Sequence, residues 1–144
     1  MRLEELLSLL NKNWRDKLKA FVDDLKKHYK KITIILFGSR ARGDYSASSD
    51  TDILIILDSY NWDDLRLILN LAYQHGIVSP EPHIFSLDFV IKNFENNTIL
   101  LDAIYEGIVL VDDFNIVETL KKRLKKVLER FEKTKEGWKL KEKL

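Results

Sequence analysis

The chain has 144 residues, enough for one domain with a sizeable core and too few for two. Its composition, 45% apolar and 33% charged, fits a soluble globular protein and excludes a disordered one. With no cysteine and no apolar run of the ~18 residues that cross a bilayer, a disulfide framework, a thiolate metal site and a membrane helix are excluded as well. Met1-Arg2-Leu3-Glu4-Glu5 does not read as a signal peptide, so the expected location is cytoplasmic.

In chain order, Leu3 to Leu10 and then Trp14 to Tyr29 read as helical. Trp14, Leu18, Phe21, Val22 and Leu25 share one face, and Lys17, Asp24 and Lys27 lie opposite. Ile32 to Phe37 is a nearly unbroken apolar run, the pattern of a strand buried on both faces. Gly38 ends it, Ser39 is the expected N-cap of a short helix through Arg40, Ala41 and Arg42, and Gly43 stops that helix. Tyr45 to Ser49 reads as a loop and Thr51 to Leu57 as a second buried strand. Trp62 to His75 returns to helical spacing, with Asn61 as cap and Gly76 as stop. Ile77 to Ser86 is a third strand, which Pro80 and Pro82 restrict to an edge or to a late start. Helices follow from Ser86 and from Asn97 to Tyr105, then a short strand at Ile108 to Val111.

From Ile116 onward a long C-terminal helix is expected. Val117, Leu120, Leu124, Val127 and Phe131 repeat at alternating steps of three and four, a seam suited to folding back on the domain or pairing with a second copy. The tail from Ile116 to Leu144 carries eleven Lys/Arg against five Glu. Such a surplus is a solvated helix face or, as the less favoured reading, a contact for nucleic acid. These elements predict a mixed α/β (α+β) plan, a small β-sheet packed by helices, with residues 1–113 as the main domain and 114–144 as the basic C-terminal helix.

The chemistry concentrates between Ile32 and Leu57. Residues two apart on a strand point to the same face, so Asp50 and Asp52 present two carboxylates side by side at a strand entrance. Like charges held that close are costly unless a cation sits between them. Gly38 and Ser39, at the end of the preceding strand, offer backbone N–H groups and a hydroxyl to a phosphate, and Arg40 or Arg42 could neutralise it. Each arginine taken singly could equally form a surface salt bridge. Together these residues make a place for a metal-bound polyphosphate.

Gly38-Ser39-Arg40-Ala41-Arg42-Gly43 followed by Ser49-Asp50-Thr51-Asp52, with an apolar strand on each side, resembles the motif of the DNA polymerase β type nucleotidyltransferases, in particular their minimal nucleotidyltransferase branch. The resemblance implies a polymerase β-like fold. It also implies a Mg²⁺-dependent transfer of a nucleoside monophosphate from a nucleoside triphosphate, with ATP the expected donor, to a hydroxyl. Asp50 and Asp52 would be metal-binding and catalytic, two Mg²⁺ ions would serve both the attacking and the leaving oxygen, and Gly38, Ser39, Arg40 and Arg42 would bind the nucleotide. Members of the branch often act as the antitoxin of a small helical HEPN-type toxin, which makes such a protein a candidate partner and acceptor.

The family's third carboxylate belongs on a neighbouring strand. Counting back from Ser86-Leu87-Asp88, that position falls on His83, and Glu81 lies two residues earlier on the same face. Glu81 is therefore the first candidate and His83 the second, as a ligand or base. Without a working third carboxylate the alternative is a non-catalytic nucleotide-binding or protein-interaction module. Asp88 is expected in the first turn of a helix, His28 and His75 on the surface, and Asp112-Asp113 in a loop.

Overall fold

The structure, a computed structural model, describes residues 2–142, with backbone alone for residues 3–12. Lys143 and Leu144, the end of the expected C-terminal element, lie outside the described residues. Among the described residues no helix is long and apolar enough to cross a membrane.

One continuous helix, α1 (Leu3–His28), replaces the two expected helical stretches. It is followed by β1 (Thr33–Phe37), α2 (Ser39–Arg42), β2 (Thr51–Leu57), α3 (Trp62–Gln74), β3 (Pro80–Ser86), α4 (Leu87–Asn93), α5 (Thr98–Glu106) and β4 (Ile108–Asp112). A single 3₁₀ turn, Phe94–Asn96, joins α4 to α5. The four strands form a mixed sheet in the order β3-β2-β1-β4, with β2 and β3 parallel and the other pairs antiparallel. Helix α3 is the crossover that a parallel pair requires. Pro80 and Pro82 sit on an edge strand that starts late, because a residue without an N–H cannot serve an interior ladder.

Strand alternation divides the interior into two cores. Ile34, Leu36, Ile53, Ile55 and Leu57 meet Leu18, Phe21, Leu25, Ile68 and Leu71 from α1 and α3. Ile35, Phe37, Leu54 and Ile56 meet Val90, Phe94, Leu100 and Ile104 from the opposite layer. Asp52 has the same phase as Leu54 and Ile56, so its carboxylate emerges on the α5 side.

The local signals set the helix ends. Asn61 caps α3 with a full capping box to Asp64, and Ser86 accepts from Phe89 N–H at the start of α4, where Asp88 occupies the first turn. Asp112 ends β4 and anchors the chain rather than lying in a loop. Its carboxylate accepts from Thr33 Oγ1 at 2.9 Å and from the N–H groups of Ile116 and Val117, while Asp113 accepts from Ile32 N–H. His28 is exposed, whereas His75 is half-buried against Asp24, 2.9 Å from its carboxylate.

The long C-terminal helix is a correction. Helix α6 (Val117–Leu128) is 12 residues long, and a hairpin of β5 (Phe131–Thr134) and β6 (Gly137–Leu140) follows it. Val117, Leu120 and Leu124 fold back into the α5-side core, whereas Phe131, the last residue of the expected seam, lies in the hairpin. Phe131-Glu132-Lys133-Thr134 has one apolar residue followed by three polar ones, so no strand period marks it in the sequence. Tertiary contact decides. Trp138 docks on α5, donating from Nε1 to Asp102 at 2.8 Å and meeting the Tyr105 ring edge-on at 5.5 Å.

Candidate active site

The strand ends and α5 enclose an open cleft of about 660 Å³. Phe37, Gly38, Ser39, Arg42, Asp50, Asp52 and His83 line it from the sheet side, and Asp102 and Glu106 from α5. Ser46, Ser48 and Ser49 of the loop before β2 form its rim.

Gly38 makes the turn from β1 into the cleft with φ +76° and ψ −158°, a region that residues with a Cβ avoid. A Cβ built there would collide with the Asp52 carboxylate. Gly38, not Ser39, is the N-cap of α2. Its carbonyl accepts from Ala41 and Arg42 N–H at 3.1 and 3.0 Å, and Ser39 is the first helical residue with no capping bond from its side chain. The Ser39 hydroxyl is thereby left to the cleft it lines.

Parallel pairing sets Asp52 beside Glu81 and Leu54 beside His83, all on the α5 side of the sheet. Ligand atoms of Asp52, Glu81 and His83 lie within 4.8 Å of one another, with His83 Nε2 3.5 Å from Asp52 Oδ1. Asp50 sits at the entrance of β2, where its Oδ1 accepts from Ser79 Oγ at 2.5 Å. The Asp50 carboxylate, together with burial and Asp52, pushes the Glu81 carboxyl above the usual range. A carboxylate crowded by two others is the donor set that a hard divalent cation relieves, so these residues fit a metal ion.

The two arginines part company. Arg42 reaches the cleft and forks onto Glu106, with Nη1 2.9 Å from both carboxylate oxygens, while its Nε meets Asp44 at 3.3 Å. Glu106 also accepts from Gly38 N–H at 3.2 Å, so one carboxylate ties α5 to the glycine turn. Arg40 turns away from the cleft and is 4% exposed. Its guanidinium lies between Trp14 and Tyr45, 5.1 and 5.0 Å from the ring centroids, and donates to the Ser49 and Ala47 carbonyls. Arg40 therefore organises the loop rather than facing the cleft, and burial lowers its pKa.

Asp102, Glu106 and Ser79 have no place in the linear motif. Asp102 and Glu106 are one helical turn apart on a helix whose Leu100, Leu101, Ala103 and Ile104 are buried. Two acids at i, i+4 on an otherwise apolar helix, with no basic neighbour, are the signal that could have marked them.

Residues 18–141 match the family described as nucleotidyltransferase domain. The chain belongs to that family. Over 63 residues this nucleotidyltransferase-domain protein is 46% identical to "Putative protein adenylyltransferase MJ0604" of Methanocaldococcus jannaschii, covering 42% of this chain and 63% of that protein. The chain thus spans less than two thirds of that relative. It is 32% identical over 88 residues to "Putative protein adenylyltransferase MJ1379" of the same organism, covering 60% of this chain and 83% of that one. Among solved structures, the fold is shared with a chain described as "toxin-antitoxin with AMP-PNP". The TM-score is 0.54 at 19% identity, with 77% of this chain and 86% of that one covered.

Proposed function

We propose that this nucleotidyltransferase-domain protein transfers AMP from ATP to a hydroxyl on a protein, with Mg²⁺ as cofactor. One observation carries the reading. Asp50, Asp52 and His83 line the cleft together with Gly38, Ser39 and Arg42, and a ligand atom of Glu81, outside that lining, lies within 4.8 Å of those of Asp52 and His83. A carboxylate group beside phosphate-binding donors suits a metal-bound triphosphate.

Asp50 and Asp52 would hold the metal, with Glu81 completing the oxygen donors and His83 supporting Asp52. Mg²⁺, as two ions, supplies charge neutralisation at the attacking and leaving oxygens. Backbone and hydroxyl groups at Gly38 and Ser39 would take the β- and γ-phosphates, and Arg42 would share its guanidinium between Glu106 and a phosphate. The acceptor oxygen forms a bond to the α-phosphorus as the α–β bridge breaks and pyrophosphate leaves. Glu81, beside Asp52, would take the hydroxyl proton. The adenylyltransferase description of the two relatives supports AMP and a protein acceptor. A HEPN-type helical partner rests on the resemblance in the glycine–serine and aspartate motif and on the fold shared with the toxin-antitoxin chain.

Glu81 is exposed and does not line the cleft, which favours as second reading a module that binds nucleotide without transferring it. Incubation with Mg²⁺ and each α-labelled nucleoside triphosphate, with a lysate as acceptor pool, separates the two. Label on a protein band, strongest with ATP and lost in D50N/D52N, is the expected result. Nucleotide binding without label transfer selects the binding module, and neither binding nor label overturns the site.

A further inference from the structure

The cleft contains a carboxylate that neither the phosphates nor the metal can use. Asp102 lines the α5 wall, and its Oδ1 is held from outside by the C-terminal hairpin. Lys133 Nζ donates at 2.7 Å and Trp138 Nε1 at 2.8 Å, both to Oδ1. Among the described residues nothing donates to Oδ2. Lys133 lies 5.7 Å from the Trp138 ring centroid and Tyr105 packs edge-on against that ring, so the clamp is braced as a unit.

We infer that Asp102 reads the nucleoside of the bound nucleotide by accepting a hydrogen bond from it, and that Lys133 and Trp138 are positioning residues that aim the carboxylate. The inference rests on the reading of the cleft as a nucleotide site and deepens it. A carboxylate is acceptor-only, as phosphate oxygens are, so Asp102 cannot serve the triphosphate. The ammonium already on Oδ1 sets Asp102 apart from the metal. Glu106, one turn away, is consumed by Arg42 and Gly38 N–H. What remains to meet Oδ2 is a donor on the nucleoside, either a ribose hydroxyl or an exocyclic amino group. Fixing Oδ1 from two sides leaves Oδ2 one direction, which is how such a contact gains selectivity.

The test is calorimetric binding with Mg²⁺ of ATP, 2′-deoxyATP, 3′-deoxyATP, purine riboside triphosphate and inorganic triphosphate to wild type, D102N and W138F. Wild type is expected to prefer ATP by about tenfold or more over at least one analogue, the value of a hydrogen bond to a charged group. A sugar analogue showing the loss assigns the donor to the ribose, and the purine riboside assigns it to the base. D102N should erase that preference while binding inorganic triphosphate as wild type does. W138F, which keeps the ring and loses the N–H, should narrow the preference, and it carries the same comparison if D102N does not fold. A merely structural clamp would lower Tm and leave the ratios unmoved. Equal affinity of wild type for all four nucleotides, or an unchanged preference in both variants, overturns the inference alone. Failure of wild type to bind ATP and inorganic triphosphate alike overturns the nucleotide site itself.

Discussion

Replacing Gly38 by alanine separates the backbone role of this glycine from its role in the site. At φ +76°, ψ −158° the strain on an L-residue is about 1–3 kcal/mol, a fall in Tm of roughly 2–4 °C per kcal/mol for a chain of this size. The new methyl would also land on the Asp52 carboxylate, with Asp52 Cγ and Cβ at 3.2 and 3.3 Å, so the side chain must shift. A misplacement of about 1 Å in a reacting constellation costs on the order of 10²-fold in rate. Gly43→Ala is the control: φ is +92° but nothing lies within 4 Å of the added Cβ, so only backbone strain of about 1–2 kcal/mol applies. The assay is differential scanning fluorimetry with and without Mg²⁺ and ATP, beside label transfer. Both variants should melt a few degrees lower. Only Gly38→Ala should lose the ligand-induced shift and about 99% of the label. If Gly38→Ala keeps both, or Gly43→Ala loses them equally, the contact between the glycine turn and Asp52 does not govern the site.

Other perturbations follow from the same geometry. Saturating Mg²⁺ at ~100 times its Kd should stabilise the protein by about 2.7 kcal/mol, visible as a Tm rise that D52N abolishes. E81Q, by removing a carboxylate that Asp50 and Asp52 crowd, should raise the metal-free Tm slightly and blunt the Mg²⁺ response. Arg40→Lys keeps the charge but loses the planar contact with Trp14 and Tyr45 and the fork on the Ser49 and Ala47 carbonyls. Limited proteolysis should then cut the 44–49 loop sooner, and intact loop protection would refute that role. The His75 hydrogen bond holds Asp24 below its ordinary 3.8. A depressed carboxylate contributes stability that is present above the unfolded value and is lost as pH falls through the folded one. Acid titration of Tm should therefore be steeper below about pH 4 in wild type than in His75→Ala, and identical acid limbs would argue against the pair.

Local chemistry made most of the fold legible. The range Thr51 to Leu57 follows from seven residues that bury both strand phases, and the edge position of β3 follows from two prolines that cannot donate. The carboxylate cluster was half legible for the same reason: Asp50 and Asp52 are two apart at one strand entrance, whereas their meeting with Glu81 depends on a parallel register that no local signal sets. Arg40 was misjudged because sequence proximity to Gly38 says nothing about which way a side chain leaves a four-residue helix. Two aromatic faces and two loop carbonyls drew it to the far side. The hairpin was hidden because Phe131 continues the helical step of four from Val127 although it already lies in β5.

The two-core arrangement explains why the site lies where it does. Strands buried between helical layers have no room for charge along their length, as the fully apolar Ile53 to Leu57 shows. Polar residues enter where the helices stop covering the sheet, at Gly38 after β1, at Asp50 and Asp52 around the start of β2, and at Glu81 and His83 in the first half of β3. Because β1 runs antiparallel to β2 and β3 parallel to it, the end of the first and the starts of the other two coincide. That coincidence brings a phosphate-type glycine turn against a carboxylate cluster without a long loop. Reversing β3 would send Glu81 to the opposite end of the sheet. The crossover helix α3, which enforces the parallel pairing, is therefore as necessary to the site as the carboxylates. Substitutions that unseat it, such as Ile68→Ala in its buried face, should cost about 2–5 kcal/mol and weaken Mg²⁺ binding although the residue is none of the cleft carboxylates. A titration of Mg²⁺ against the folded fraction of that variant is the check, and unchanged affinity would show that the register holds without the helix.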